Sequence, residues 1–416
     1  MKIRIHRGTN QIGGCVTEYE HNGFKLFVDF GQQLSGTKTT GTLEIEGLTK
    51  GDLSKSILLV THYHGDHIGC ISSIPEDVPI YMGKIGCEIQ RALSRHLLSV
   101  NSVHKSIVAK LDNVDTFSAL EIIQHGEFKV TPLTIDHSAF DAYAFKIEAG
   151  GISVFHTGDF RTHGFRGRSM HKMLEKFVGK VDYVVCEGTN VSREGVALLS
   201  ERQLQRSFEK LFRDNKGSVV YVSTTNIDRV FSLYHAAQRV GRPFYVDRFQ
   251  KEIMNIVVQS NHEWSKSKLY HYCKYEPLEL MYDKDGEILV KEDFLDFLCA
   301  KGFVLLARSG SRFDNLITKL PGKKVKILSM WDGYVKEGTG AFNDALAASL
   351  VDGYIHMHTS GHCDMNSIRA LFAILQPKGI IPIHTDNPDK FAQLFCDEWP
   401  VIRINDGESI TTISNY

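Results

Sequence analysis

Apolar and polar residues alternate from the first residue: in Met1-Lys2-Ile3-Arg4-Ile5-His6, ahead of Arg7, every second position is apolar, the period of a half-buried strand. Phe24 to Phe30 alternates only in part, which predicts a strand covered on both faces. Ser56 to Thr61 is a short apolar run that ends in histidines, and Phe128 to Ile135 alternates up to Asp136-His137. Ile152 to Thr157 does the same and ends at Gly158-Asp159. Apolar strands thus repeatedly run out into His or Asp, and the loops beyond strand ends are where α/β proteins keep their reactive side chains.

The pattern changes after about residue 190. Leu204, Phe208, Leu211 and Phe212 follow helical spacing. Gly217–Val222, Phe244–Val246, Phe303–Ala307 and Val325–Ser329 are short strands between helical stretches, which predicts a parallel sheet. Trp264 to Gly286 has too weak a pattern to place. Gly353 to His358 is strand-like and leads into Ser360-Gly361-His362. Asp364 is placed to cap a helix carrying Ile368, Leu371, Phe372 and Leu375, and Gly379 to Ile383 is a strand ending in His384. The expected organisation is a main domain over 1–190, an inserted α/β domain over 191–352, and a return segment over 353–416 that completes the first.

Composition narrows the class. With 42% hydrophobic and 23% charged residues the chain is of globular type, and no apolar run approaches the roughly 20 residues of a membrane helix. The strand-like start is not the apolar stretch of a signal peptide, so a cytoplasmic protein without membrane association is expected. None of the eight cysteines forms a C-x-x-C pair, which argues against zinc ribbons and thioredoxin-like chemistry. A net charge of −1 gives no global case for nucleic-acid binding, so any such surface has to be local. One local excess follows Asp159: Arg161, Arg166, Arg168, Lys172, Lys176 and Lys180 against Glu175. It is expected to form one wall of a groove for a polyanion.

The densest chemistry is Thr61-His62-Tyr63-His64-Gly65-Asp66-His67-Ile68-Gly69. In an extended segment His62 and His64 share one side. A following turn can bring Asp66 and His67 to a neighbouring point, with Gly65 and Gly69 easing the backbone. Imidazole and carboxylate donors without a nearby thiolate suit zinc, manganese or iron.

H-x-H-x-D-H-I-G resembles the signature of the metallo-β-lactamase superfamily, and Asp29, His137 and Asp159 resemble its other motifs in order. The resemblance implies a four-layer αββα fold with two divalent metal ions, zinc first and manganese as the alternative. It implies that His62, His64 and His137 hold one ion. Asp66, His67 and a distant histidine would hold the other, with Asp159 bridging and Asp29 behind the ligands, orienting them. Two ions about 3.5–4 Å apart acidify a bridging water to a hydroxide, which suits hydrolysis of phosphodiesters, esters, thioesters or lactams.

The last third of the chain chooses among these. An acidic residue after a strand (Glu187), a long α/β insertion, Ser360-Gly361-His362, and then a strand ending in His384 resemble the β-CASP nucleases. His384 would be the distant metal ligand. Thr224-Thr225-Asn226-Ile227-Asp228-Arg229 and Ser329-Met330-Trp331-Asp332-Gly333-Tyr334 resemble the ribonuclease J side of that family. By the resemblance, histidine at position 384 points to RNA, with DNA as the alternative substrate and a small-molecule metallohydrolase as the more distant one. Catalytic roles are expected for Asp66, Glu187 and His362, the last as proton donor to the leaving oxygen, charged by Glu187. Ser223, Asn226, Arg229, Arg308 and Ser360 are expected at substrate phosphates. The wording His137-Ser138-Ala139-Phe140-Asp141 departs from ribonuclease J, and the chain ends soon after His384, so that enzyme's extra C-terminal domain is not expected.

Overall fold

The computed structural model describes residues 1–35, 41, 43–193, 198–260, 267–285, 287–289 and 293–412. They fall into two compact units, Met1–Ala197 with Gly361–Tyr416, and Leu198–Ser360.

The first unit is built on two mixed sheets. One runs, edge to edge, Ser409–Thr411, Lys2–Arg7, Val16–His21, Phe24–Val28, Ser56–Val60, Ile80–Gly83, Asp115–Phe117. It is antiparallel as far as Phe24–Val28 and parallel beyond, with Leu26 opposite Ile57 and Leu58 opposite Ile80. The other runs Gly379–Ile383, Tyr183–Glu187, Ile152–His156, Tyr143–Ala149, Phe128–Thr134, Ile123–His125. The period-two pattern sends Ile3, Ile5, Leu26, Val28, Ile57 and Leu59 inward from the first sheet. They meet Phe128, Val130, Phe145, Ile147, Val154, Val185 and Ile381 of the second in one core. Helices cover the sheets' other faces: Lys84–Leu97 and Val103–Leu111 for the first, Met170–Phe177, Met365–Leu375 and Pro388–Phe395 for the second. These are the four layers of the expected αββα fold.

The second unit has one parallel sheet in the order Leu278–Glu279, Phe244–Val246, Phe303–Ala307, Gly217–Tyr221, Lys324–Leu328, Ile355–His356. Its central strands are buried throughout, as parallel strands flanked by helices must be. The capping box Ser200–Gln203 starts the helix Glu201–Asp214, which buries Leu204, Phe208 and Phe212. One segment differs from its expected place. Ile355–His356, read as the start of the return, pairs in parallel with Lys324–Leu328 and closes the second unit's sheet, so the return begins at Gly361. A two-residue strand carries too little periodicity to declare its partner. Of the weakly patterned stretch 264–286, Leu278–Glu279 is an edge strand, and 264–266 and 286 lie outside the described residues. No helix among the described residues is long and apolar enough to cross a membrane.

Candidate metal centre

The centre is assembled at strand ends of the first unit. Phe24–Val28 ends in Asp29, whose backbone is left-handed at φ 62°. That turn puts the carboxylate under the next strand's end, where Thr61 N and Oγ1 donate to it at 2.7 and 2.8 Å. Asp29 Oδ2 also lies 2.7 Å from His67 Nδ1, which orients the ring with Nε2 toward the centre. His62 and His64 leave the strand Ser56–Val60 in extended backbone, and Gly65–Ile68 forms one helical turn that swings Asp66 and His67 round. Gly158 adopts φ 54° against the Thr61 side chain, a turn that sets Asp159 in place. His384 is left-handed too, at φ 50°, and its N–H donates to the Gly8 carbonyl. Left-handed backbone at non-glycine residues is uncommon and gathers at functional sites; Asp29 and His384 are two such residues here.

Three groups of donors result. In the first, His62 Nε2 and His137 Nε2 each lie 3.1 Å from His64 Nδ1. His137 Nδ1–H donates to the Gly361 carbonyl at 2.8 Å, which leaves its Nε2 as a lone pair. One proton on His64 Nδ1 can serve only one of its two neighbours, whereas a cation serves all three. Tetrahedral zinc at its usual Zn–N distance spaces nitrogens roughly 3.3 Å apart. Burial pushes all three imidazoles down, His64 to about 4, so they are neutral and able to ligate at neutral pH.

The second group is Asp66, His67, Asp159 and His384. His384 Nε2 lies 3.2 Å from Asp66 Oδ2 and 3.4 Å from Asp159 Oδ2, and His67 Nε2 lies 3.0 Å from Asp159 Oδ2. Thr189 Oγ1 meets His384 Nδ1 at 2.8 Å and orients the ring. Asp159 Oδ2 also lies 4.0 Å from His62 Nε2, which places it between the two groups. Its Oδ1 is buried with no hydrogen-bond partner among the described residues, a costly arrangement for a carboxylate unless a cation takes it. Burial raises the Asp159 pKa, but His384, His67 and His362 outweigh it and hold the carboxyl well below its usual range.

Glu187, at the end of Tyr183–Glu187, accepts from Phe160 N at 2.7 Å and faces His362 Nδ1 at 3.0 Å. Asp159 Oδ2 is 3.7 Å from the same nitrogen. Burial lowers the His362 pKa, yet Glu187 and Asp159 prevail and raise it to about 9. Asp159, Glu187, His362 and His384 form the third group by distance. A histidine between two carboxylates carries a proton more readily than it ligates.

The structure therefore brings together His62, His64, Asp66, His67, His137, Asp159, Glu187, His362 and His384, with Asp29 behind them. The expected phosphate contacts belong to the second unit. Ser223 is exposed after Gly217–Tyr221, with its hydroxyl 3.1 Å from that of Thr225. Asn226 caps the helix Ile227–Arg239. Arg308 pairs with Asp247 through Nε and Nη2 at 2.8 and 2.6 Å and stays about one-third exposed. Ser360 is half-buried. Arg229 does not fit its expected role. It is fully buried in a two-pronged pair with Glu201 at 2.9 and 3.0 Å, with Ser329 on its third nitrogen, so its charge is neutralised inside the unit. The expected basic wall after Asp159 also changes. Arg161 and Arg166 are buried, leaving Arg168, Lys172, Lys176 and Lys180 outside.

Sequence reasoning missed Thr61, Thr189 and Asn190. Asn190 Nδ2 donates to the carbonyls of His362 and Cys363, both at 3.0 Å, and holds that loop. Thr189 and Asn190 directly follow Glu187-Gly188, and that adjacency was the only available signal.

Facing sheets flanked by helices, with His and Asp donors converging at strand ends, define a metallo-β-lactamase-type protein whose donor set fits metal. Residues 50–222 match the family model described as the beta-lactamase superfamily domain, and residues 353–402 that of the Zn-dependent metallo-hydrolase RNA specificity domain. The chain is 24% identical to ribonuclease J of Mycolicibacterium smegmatis over 92% of its length and 68% of the relative's. It is 23% identical to ribonuclease J of Mycoplasma genitalium over 92% and 67%. A crystal structure of an Enterococcus faecalis protein of unknown function superposes with a TM-score of 0.74 at 20% identity, covering 98% of this chain and 99% of that one. Both matched domains and the ribonuclease J relatives support a likeness to the ribonuclease J-like, β-CASP branch of the metallo-β-lactamase superfamily.

Proposed function

We propose that this protein is a metal-dependent ribonuclease that hydrolyses phosphodiesters with two divalent ions, zinc in the first instance. The observation that carries the reading is the pair of neighbouring donor groups, with Asp159 in one and 4.0 Å from His62 of the other, beside Glu187 and His362, in a chain that matches an RNA specificity domain. His62, His64 and His137 would hold one ion and Asp66, His67 and His384 the other, with the Asp159 carboxylate available to both. When bound, such ions lower the pKa of water and neutralise charge on phosphate.

The remaining chemistry belongs to side chains. The attacking oxygen bonds to phosphorus while the bond to the leaving oxygen breaks, and the leaving oxygen needs a proton. His362 carries it, charged and oriented by Glu187, and Asn190 fixes the loop on which it sits. In the second unit, the inserted β-CASP-type domain, Ser223, Asn226, Arg308 and Ser360 contact the phosphates of the strand.

The test is cleavage of matched, end-labelled single-stranded RNA and DNA with added zinc or manganese, alongside Asp66→Ala. RNA cleavage that disappears in the variant is the expected result, and the product ladder separates exonucleolytic from endonucleolytic attack. Preferential DNA cleavage overturns the RNA assignment. His362→Ala is expected to slow cleavage by about 10²–10⁴-fold with its metal content intact; loss of metal instead would make His362 a ligand.

A further inference from the structure

Two arginines that this chemistry leaves unused are buried beside the centre. Arg166 is 3% exposed. Its Nη2 donates to the carbonyl of His137 at 2.6 Å and to that of Ala139 at 3.2 Å. The Phe140 ring lies 5.3 Å from its guanidinium carbon, and Asp136 Oδ1 lies 3.9 Å from its Nε. Burying a guanidinium is costly unless its donors and charge are met. Here Nη2 is directed at two carbonyls of the loop that presents the His137 ring.

Arg7 is 4% exposed. Its Nε donates to the Gly14 carbonyl at 2.6 Å and its Nη2 to the Gly31 carbonyl. The two loops it ties together grip the turn that carries Asp66 and His67. Gln32 N donates to the Gly65 carbonyl, Gly14 N to that of Asp66, and Phe30 N to that of His67, each at 2.9 Å. The two arginines thus reach different ligands through different loops.

We infer that Arg166 and Arg7 are positioning residues that separately set the metal affinity of the two halves of the centre. Arg166 acts through His137 on the three-histidine group, and Arg7 acts through Asp66 and His67 on the other. The inference rests on the metal-centre reading above. Lysine keeps the charge at either position but lacks the planar guanidinium, which at Arg7 spans two carbonyls with two nitrogens and at Arg166 aims Nη2 at two carbonyls. Partners that orient metal ligands typically change affinity about 10–100-fold.

The test uses the full chain, stripped of metal and titrated with cobalt(II), followed by visible absorption and by competition with a chromophoric chelator. His137→Ala and Asp66→Ala identify which binding step belongs to which half. Arg166→Lys is expected to weaken the step that His137→Ala removes by about 10–100-fold and to leave the other step unchanged. Arg7→Lys is expected to do the reverse. Equal weakening of both steps by either variant, or no change in either step, overturns the inference. A wild-type chain that takes up no cobalt at all removes the metal-centre reading itself, a result distinct from either. Should Arg166→Lys fail to fold, Phe140→Leu removes only the ring beside the guanidinium. It is expected to weaken the same step by a smaller factor, and an unchanged step would again overturn the inference.

Discussion

Single residues at this centre work through atoms a few ångströms away. Gly31 packs so closely on the turn of Asp66 that a Cβ there would lie 1.7 Å from the Asp66 carbonyl oxygen. Gly31→Ala is therefore expected to displace the turn, cost about 1–3 kcal/mol, and release the ion on the Asp66 side first. Metal analysis of the purified variant checks this, and a full metal complement would contradict it. Glu18 tests electrostatics away from the centre. It is 2% exposed, with His6 Nε2 at 2.6 Å, Lys25 Nζ at 3.4 Å and Arg4 Nη1 at 3.8 Å. Burial raises its pKa, but His6, Lys25 and Arg4 outweigh burial and hold it below the ordinary value. A depressed folded-state pKa gives stability that is present above the unfolded pKa of about 4.3 and is lost as pH falls through the folded value. Glu18→Gln is expected to lower stability at neutral pH by about 1–3 kcal/mol, and urea melts of the two proteins should converge in acid. A gap that stays constant down to pH 3 would show that the charge contributes nothing.

At the scale of elements, the ligands depend on how helices and strands begin and end. Asp364 caps Met365–Leu375, its carboxylate accepting from Ser367 N at 2.7 Å, two residues after His362. Asp364→Ala is expected to cost about 0.5–2 kcal/mol in thermal or urea unfolding while metal content is retained. That helix was legible because its apolar residues repeat at i, i+3, i+4 and i+7 behind a capping Asp. Asp141 was not legible. At φ 62° it accepts from the N-terminal amides of Lys84–Leu97, Ile85 N and Gly86 N, at 2.8 and 2.9 Å, and from the Tyr143 hydroxyl at 2.7 Å. It thereby ties the loop after His137 to a helix more than 40 residues earlier, a link that no local pattern encodes.

At the scale of the whole molecule, one core lies between the facing sheets and another around the parallel sheet. Every residue proposed to hold metal lies in the first unit. Metal that binds only the folded state stabilises the unit it binds. Hydrogen exchange with and without a chelator is expected to show faster exchange at 56–68, 152–160 and 379–385 in the metal-free protein. Amides at 217–221 and 303–307 are expected to stay unchanged. Uniform acceleration across both units would mean that they unfold as one.

Local periodicity determined the strands Lys2–Arg7, Ser56–Val60 and Ile152–His156 and the helix after Asp364, because the side chains that decide them are sequence neighbours. Ligand chemistry was equally local at His62 to His67, where four donors fall within six residues. Motif order then reached Glu187, His362 and His384 across the insertion. Burial and pairing were decided by the tertiary structure alone. Arg229 and Arg166 read as cations for phosphate; Glu201 and Ser329 enclose one, and the carbonyls of His137 and Ala139 take up the other. Sequence shows that a guanidinium is present, but whether its charge faces water or a buried partner depends on segments far along the chain that fold against it.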